Sequence, residues 1–177
     1  HGEEHPDTLT SINTLGFVLQ AEGKFDEAEG LYREALEKQR RVRGDDHVDT
    51  LTTINNLGSL WVAQKRYSEA LTLLEPAAAA FRAAFSGPAP GHIAKLTLDL
   101  GLAHLALGDL DAAEPELLEA HKLNLQVRGA NHADTLASAK ALAELYAARH
   151  AKAPTGGFDA KAAEWRQRSV APRADAK

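Results

Sequence analysis

Cysteine is missing from all 177 residues, which rules out a disulfide framework, a thiolate nucleophile and cysteine-ligated zinc. Methionine is missing as well, even at position 1, so the chain is expected to be a processed or excised piece of something longer. No apolar run approaches the roughly 18 to 20 residues that span a bilayer, and no signal-peptide pattern opens the chain. No membrane partner and a cytoplasmic location are therefore expected. Clustered basic residues are scarce: Arg40, Arg41 and Arg43 form the densest run, and the net charge of −5 with a pI near 5.9 argues against neutralising a phosphate backbone. No nucleic-acid partner is expected. At 44% hydrophobic and 25% charged residues, what is present is enough for a folded globular domain.

Self-similarity is the strongest feature of what remains. His5-Pro6-Asp7-Thr8-Leu9 with Leu15-Gly16 returns 42 residues later as His47-Val48-Asp49-Thr50-Leu51 with Leu57-Gly58. A third copy keeps Leu100-Gly101, and a fourth keeps His132-Ala133-Asp134-Thr135-Leu136 with Leu142-Ala143. Second halves repeat in step, as Phe25-Asp26-Glu27-Ala28, Tyr67-Ser68-Glu69-Ala70 and Leu110-Asp111-Ala112-Ala113. Matches in both halves at one period define a structural unit.

Each unit reads as two helices. Leu9, Ile12, Leu15 and Leu19 recur at helical spacing, as do Phe25, Ala28, Leu31, Tyr32, Ala35 and Leu36, with Gly23-Lys24 breaking between them. Small residues stand where paired helices must approach closely: Gly16, Gly58, Gly101 and Ala143 on first helices, and Ala28, Ala70 and Ala113 on second helices. Asp46 and Asn131 are expected as N-caps, and Gly44 and Gly129 as left-handed glycines that end the preceding helix. Pro76 and Pro115 fall inside second helices and are expected to kink them.

Leu15-Gly16 followed by Ala28, Tyr32 and Ala35 resembles the tetratricopeptide signature, and the 42-residue spacing with His-Pro-Asp-Thr-Leu is similar to arrays of the kinesin-light-chain type. The resemblance implies an all-α fold, a right-handed α-solenoid of about four helix-turn-helix repeats with a C-terminal capping helix. The repeats fall at about 5–46, 47–88, 90–131 and 132–169, in a single domain over residues 1–169, and a flexible tail is expected over 170–177. Bacterial arrays of this type often sit beside kinase or nucleotide-binding regulatory domains, which the resemblance implies about context. The fourth repeat departs from the pattern through an insertion at residues 151–157. It also places Lys161 where Ala28, Ala70 and Ala113 pack, so its second helix is expected to dock loosely.

Catalytic chemistry has little to stand on, and no enzyme activity, cofactor or metal is expected. The His-x-Asp copies at His5, His47 and His132 occupy equivalent places in successive units. Stacked helices lie about 8 to 10 Å apart, so one ion cannot reach all three. Helix capping and packing between repeats account for them better, and His104, among apolar neighbours, reads as structural. No serine sits in a Gly-x-Ser-x-Gly elbow, and Gly87, Gly91, Gly156 and Gly157 lie in proline-containing loops without a phosphate-loop lysine, so they read as linkers. Trp61 and Trp165 read as core or end-cap residues.

A surface remains. The resemblance implies that first helices line a concave groove, through Thr10, Asn13, Phe17 and Gln20 in the first repeat and Thr52, Asn55, Ser59 and Val62 in the second. In the third repeat the corresponding residues are Lys95, Leu98 and Leu102, and in the fourth Lys140 and Glu144. The expected function is a protein–protein interaction scaffold that holds a partner peptide or protein segment there. Asn13 and Asn55 would meet the backbone of that segment, and Lys95 and Lys140 its acidic side chains. The alternative is a structural or regulatory arm of a larger protein that works by intramolecular contact or by self-association through an exposed terminal repeat, whose apolar edge is expected at Leu9, Ile12 and Phe17.

Overall fold

The computed structural model describes residues 5–85 and 91–170, which excludes the opening His1-Gly2-Glu3-Glu4 segment, Gly87 and most of the expected tail. Among the described residues there are eight helices and no strand. They are α1 (Pro6–Ala21), α2 (Phe25–Arg43), α3 (Val48–Ala63), α4 (Tyr67–Ala84), α5 (Gly91–Leu107), α6 (Leu110–Arg128), α7 (Ala133–Lys152) and α8 (Phe158–Arg168). Consecutive helices pair into four hairpins, and the chain forms two compact units, His1–Ser86 and Gly87–Lys177. In the first unit α2 lies against both α1 and α3, and in the second α6 lies against both α5 and α7.

Three first helices start in the same way. The Nδ1 atoms of His5, His47 and His132 accept hydrogen bonds from the backbone N–H of Asp7, Asp49 and Asp134, at 3.3, 3.2 and 3.1 Å. These histidines are the N-caps, one position after the expected Asp46 and Asn131. The ring nitrogen satisfies an amide that the first turn leaves without a partner, and the aspartate then sits where the helix dipole favours negative charge. Arg43 pairs with Asp49, and Arg128 lies 3.5 Å from Asp134, so the end of one helix is tied to the start of the next.

Chain direction changes at a few backbone positions. Gly44 and Gly129 have φ of 85° and 84° with ψ of 170° and 171°. The positive φ is as expected, but the extended ψ is not left-handed helical, and it is a combination that only glycine adopts comfortably. Within the hairpins the same work is done by Gly23 and Gly108, and in the second repeat by Lys65 at φ 63°. Helices α4 and α6 continue through Pro76 and Pro115; each proline removes the amide that would have met the carbonyl of Thr72 or Asp111. Gly91, read from the sequence as a linker, is the first residue of α5.

Inside each hairpin, contact follows the small residues. Ala28, Ala70 and Ala113 are completely buried, and a Cβ placed on Gly16 or Gly101 would come within 2.8 Å of the Tyr32 ring or the Leu117 side chain. The fourth hairpin differs from expectation. Lys161 does not enter the tight contact; its ammonium lies 5.0 Å from the centre of the Tyr146 ring, while Ala162, one residue on, is buried against α7 together with Trp165. Phe158 stacks on Tyr146 at 6.3 Å, and the Trp165 ring meets His121 edge-on at 4.8 Å. The contact face of α8 is thus Ala162 and Trp165 with Phe158, and Lys161 lies outside it.

Candidate functional site

Residues three and four apart on a helix share a face, so Thr10, Asn13, Phe17 and Gln20 form one stripe on α1, and Thr52, Asn55, Ser59 and Val62 form its counterpart on α3. The structure holds the two stripes side by side: Asn56 Nδ2 donates to Asn13 Oδ1 at 3.3 Å, a bond between the first two repeats. Thr10 and Thr52 donate their hydroxyls to the carbonyls of Pro6 and Val48 in their own helices, at 3.0 and 2.8 Å. This leaves their methyl groups as the outward chemistry. Gln20 Oε1 accepts from the Tyr32 hydroxyl at 3.1 Å, and burial pushes that phenol up to about 12. Phe17 is 61% exposed, Val62 half-buried.

Three of the expected contact residues are not available. Asn55 and Ser59 are buried because packing covers α3 nearly all round, with ten of its sixteen residues inside; Asn55 leaves its Oδ1 without a hydrogen-bond partner. Leu98 is part of the apolar core of the second unit together with Leu142, Leu145 and Tyr146, and Leu102 packs against that core. Lys95 donates to the buried Asp99 at 2.7 Å. Lys140 and Glu144 are open to solvent and 4.0 Å apart on α7. The exposed part of the stripe is therefore richest on α1.

A different cluster was not legible as a site. Glu29 on α2 accepts from Arg33 at 2.9 Å and from Arg66 at 2.5 Å, and both guanidiniums lie over the Trp61 ring, at 5.1 and 5.2 Å from its centre. The second unit repeats the device. Glu114 on α6 accepts from the Tyr146 hydroxyl at 2.6 Å and pairs with Arg149 at 2.9 Å, and Arg149 reaches Asp111 as well. In both, a carboxylate on the second helix of one repeat holds an aromatic ring and an arginine of the next. The signal in the sequence is a doubled period: Glu29 and Glu114, like Trp61 and Tyr146, stand two repeats apart, with Leu71 and His104 between them. His104 instead lies 3.8 Å from Glu116.

Burial pushes the Glu29 carboxyl upward, but the hydrogen bonds from Arg66 and Arg33 outweigh it and hold the group below the usual carboxylate range. A carboxyl lowered on folding adds stability that is full above its unfolded value of 4.5 and disappears as pH falls through the folded value. Stability of the first unit should accordingly fall as pH is taken from about 5 to about 3. Glu29→Gln should start lower at neutral pH, by about 1 to 2 kcal/mol, and lose less on acidification. Urea melts across that range check this, and equal pH slopes in the two proteins would rule the network out as a source of acid sensitivity.

Among the described residues no group of three or more His, Asp or Glu side chains is placed to hold a metal, and no helix is long and apolar enough to cross a membrane. The tetratricopeptide repeat family profile matches residues 7–83. Among solved structures, the nearly identical TPR-like repeats of a candidate kinesin light chain from Podosopora anserina are 23% identical, covering 96% of this chain and 80% of that one with a TM-score of 0.65. A variant of those repeats matches at 24% identity over 94% of this chain and 77% of that one, also at 0.65. BtubC (BKLC) from P. vanneervenii matches at 19% identity over 98% of this chain and 70% of that one, at 0.69. No curated protein matches the sequence. Tetratricopeptide folds of this kind are in general non-catalytic scaffolds for protein–protein interaction. Residues 7–83 match the tetratricopeptide repeat family by sequence, and the chain as a whole has the fold of kinesin-light-chain-like tetratricopeptide arrays.

Proposed function

We propose that this chain is a cytoplasmic scaffold that holds an extended or helical segment of a partner protein against the α1–α3 stripe. The observation that carries the reading is Phe17. A large aromatic side chain stands 61% exposed between the amides of Asn13 and Gln20, with the methyl of Thr10 two turns away, and no charge interrupts the helix between Asp7 and Glu22. An exposed ring flanked by amides offers a partner both an apolar anchor and hydrogen bonds to its backbone. The partner's backbone would meet Asn13 rather than Asn55.

Peptides selected from a displayed random library on the wild-type chain test this. Phe17→Ala should weaken the recovered binders at least about tenfold, which is the usual consequence of truncating an aromatic anchor, with the melting curve unchanged. Binders indifferent to both Phe17→Ala and Asn13→Ala would place recognition elsewhere on the chain.

A further inference from the structure

Because His47 takes the cap of α3, the carboxylate of Asp46 is left without that task, and it has no partner among the described residues. Its neighbour Asp45 is matched by Arg40, whose Nε donates to it at 2.7 Å. Both aspartates stand at the mouth of a crevice of about 190 Å³ in the first unit, between the α2–α3 turn, α3 and α4. The floor is buried and apolar, formed by Leu51 and Ile54, and half-buried Leu73 and Ala77 make the α4 wall. Pro76 belongs to the same wall, one turn beyond Thr72, and the helical carbonyl of Thr72 points along α4 toward it. The acceptor that Pro76 deprives of its amide thus lies between two residues that line the crevice.

The second unit makes the same crevice with other chemistry. Leu125 and Ala130, two repeats after Arg40 and Asp45, line it there, and α8 supplies Gln167 and Arg168 where α4 supplies Pro76 and Ala77. No carboxylate and no proline lines that copy. The repeat therefore makes the recess, and the acids and the interrupted backbone bond are particular to the first unit.

We propose that the crevice of the first unit binds a lysine side chain presented by a partner protein. The aliphatic stem lies along Leu51, Ile54 and Leu73, and the ammonium is held by the Asp46 carboxylate and the Thr72 carbonyl. Charge selects the sign of the occupant: one carboxylate remains after Arg40 has matched Asp45, and the backbone group is an acceptor as well. Acceptor placement selects lysine, because two single acceptors on different elements suit the three rotatable donors of an ammonium better than the planar fork of a guanidinium. A buried stem with its charge at the mouth is how lysine covers apolar surface. The crevice has the liquid volume of about six waters, enough for the outer part of one such side chain. No residue of the α1–α3 stripe takes part, so the inference goes beyond the scaffold reading and fails separately from it.

The test is a titration of the 177-residue chain with Nα-acetyl-lysine N-methylamide at fixed ionic strength, followed by amide chemical shifts. Shifts should saturate with a Kd of about 10 mM and centre on Asp45, Asp46 and residues 73–77. Asp46→Asn should weaken binding about threefold to fivefold, the range of an exposed charge pair. Pro76→Ala returns an amide to Thr72; it should weaken binding about threefold and raise the urea midpoint, so that loss of binding there is not loss of the fold. Blocked norleucine should bind at least about fivefold more weakly than blocked lysine, and Phe17→Ala should leave the Kd unchanged. Shifts that do not saturate, norleucine binding as tightly as lysine, or Asp46→Asn and Pro76→Ala both binding as the wild type does would each overturn the proposal. Tighter binding of blocked arginine would overturn the choice of lysine.

Discussion

Gly58→Val should lower the stability of the first unit by about 3 kcal/mol, the upper part of the usual range for overpacking a filled interior. The reason is local. A Cβ at position 58 would sit in contact with Leu74 Cδ2, and 2.6 and 2.8 Å from its Cγ and Cδ1. Leu74 is completely buried on the facing helix and cannot swing away without displacing its own neighbours. Valine adds two further methyl groups to the same place, while its better helix propensity than glycine returns only a few tenths of a kcal/mol. Gly58→Ala should follow the same direction with a smaller loss, and Gly58→Ala with Leu74→Ala should lose less than the two single losses added, because the second change makes room for the first. Urea melts of the four proteins decide it. A Gly58→Val chain as stable as the wild type would mean that the α3–α4 contact is looser than its geometry indicates.

Trp165→Ala should release α8. The helix has eleven residues, too few to persist unaided in water, and its hold on α7 depends on Ala162, Trp165 and the stacking of Phe158 on Tyr146. Removing a buried indole costs about 3 to 5 kcal/mol, and here it also removes the edge-on contact with His121 and the Arg168 guanidinium that covers the ring at 4.7 Å. Amide exchange over Phe158–Arg168 should then accelerate by at least about a hundredfold while α5 and α6 keep their protection, since 2.7 kcal/mol corresponds to that factor. Burial holds the His121 ring below its ordinary value, against a hydrogen bond to the Thr135 carbonyl that raises it. Uncovering the ring should return it toward ordinary histidine behaviour, visible as an upward shift in its NMR titration. If α8 in Trp165→Ala exchanged as slowly as α7, the indole would not be what seats it.

The repeats, the paired helices and the close contacts between them follow from local rules and were readable directly. The 42-residue period, the Leu-Gly and Phe-Asp-Glu-Ala signatures and the helical spacing of apolar side chains each name an element without reference to any other part of the chain. Capping was readable in outline and displaced by one residue, because the choice between Asp46 and His47 depends on which side chain reaches the free amide, a matter of angles. The candidate stripe was readable as a set of positions, since i, i+3 and i+7 fix a face, but not as a set of accessible residues. Asn55 and Leu98 hold the place of Asn13 in their repeats and are buried nonetheless, because exposure belongs to what lies over a helix.

What only the tertiary structure decided is of the same kind throughout. Glu29 with Trp61 and Arg66, and Glu114 with Tyr146 and Arg149, are far apart in the chain, and their partnership exists only once one repeat is laid against the next. The register of α8 turns on whether Lys161 or Ala162 faces α7, and the alignment of repeats favours the lysine while close packing against an aromatic wall accepts only the alanine. The similar sequences of α1 and α3 hide an open face on one and a covered face on the other. Sequence periodicity sets the direction in which a side chain points from its own helix; what it meets there depends on the position and rotation of a second helix, which residues along the first do not encode.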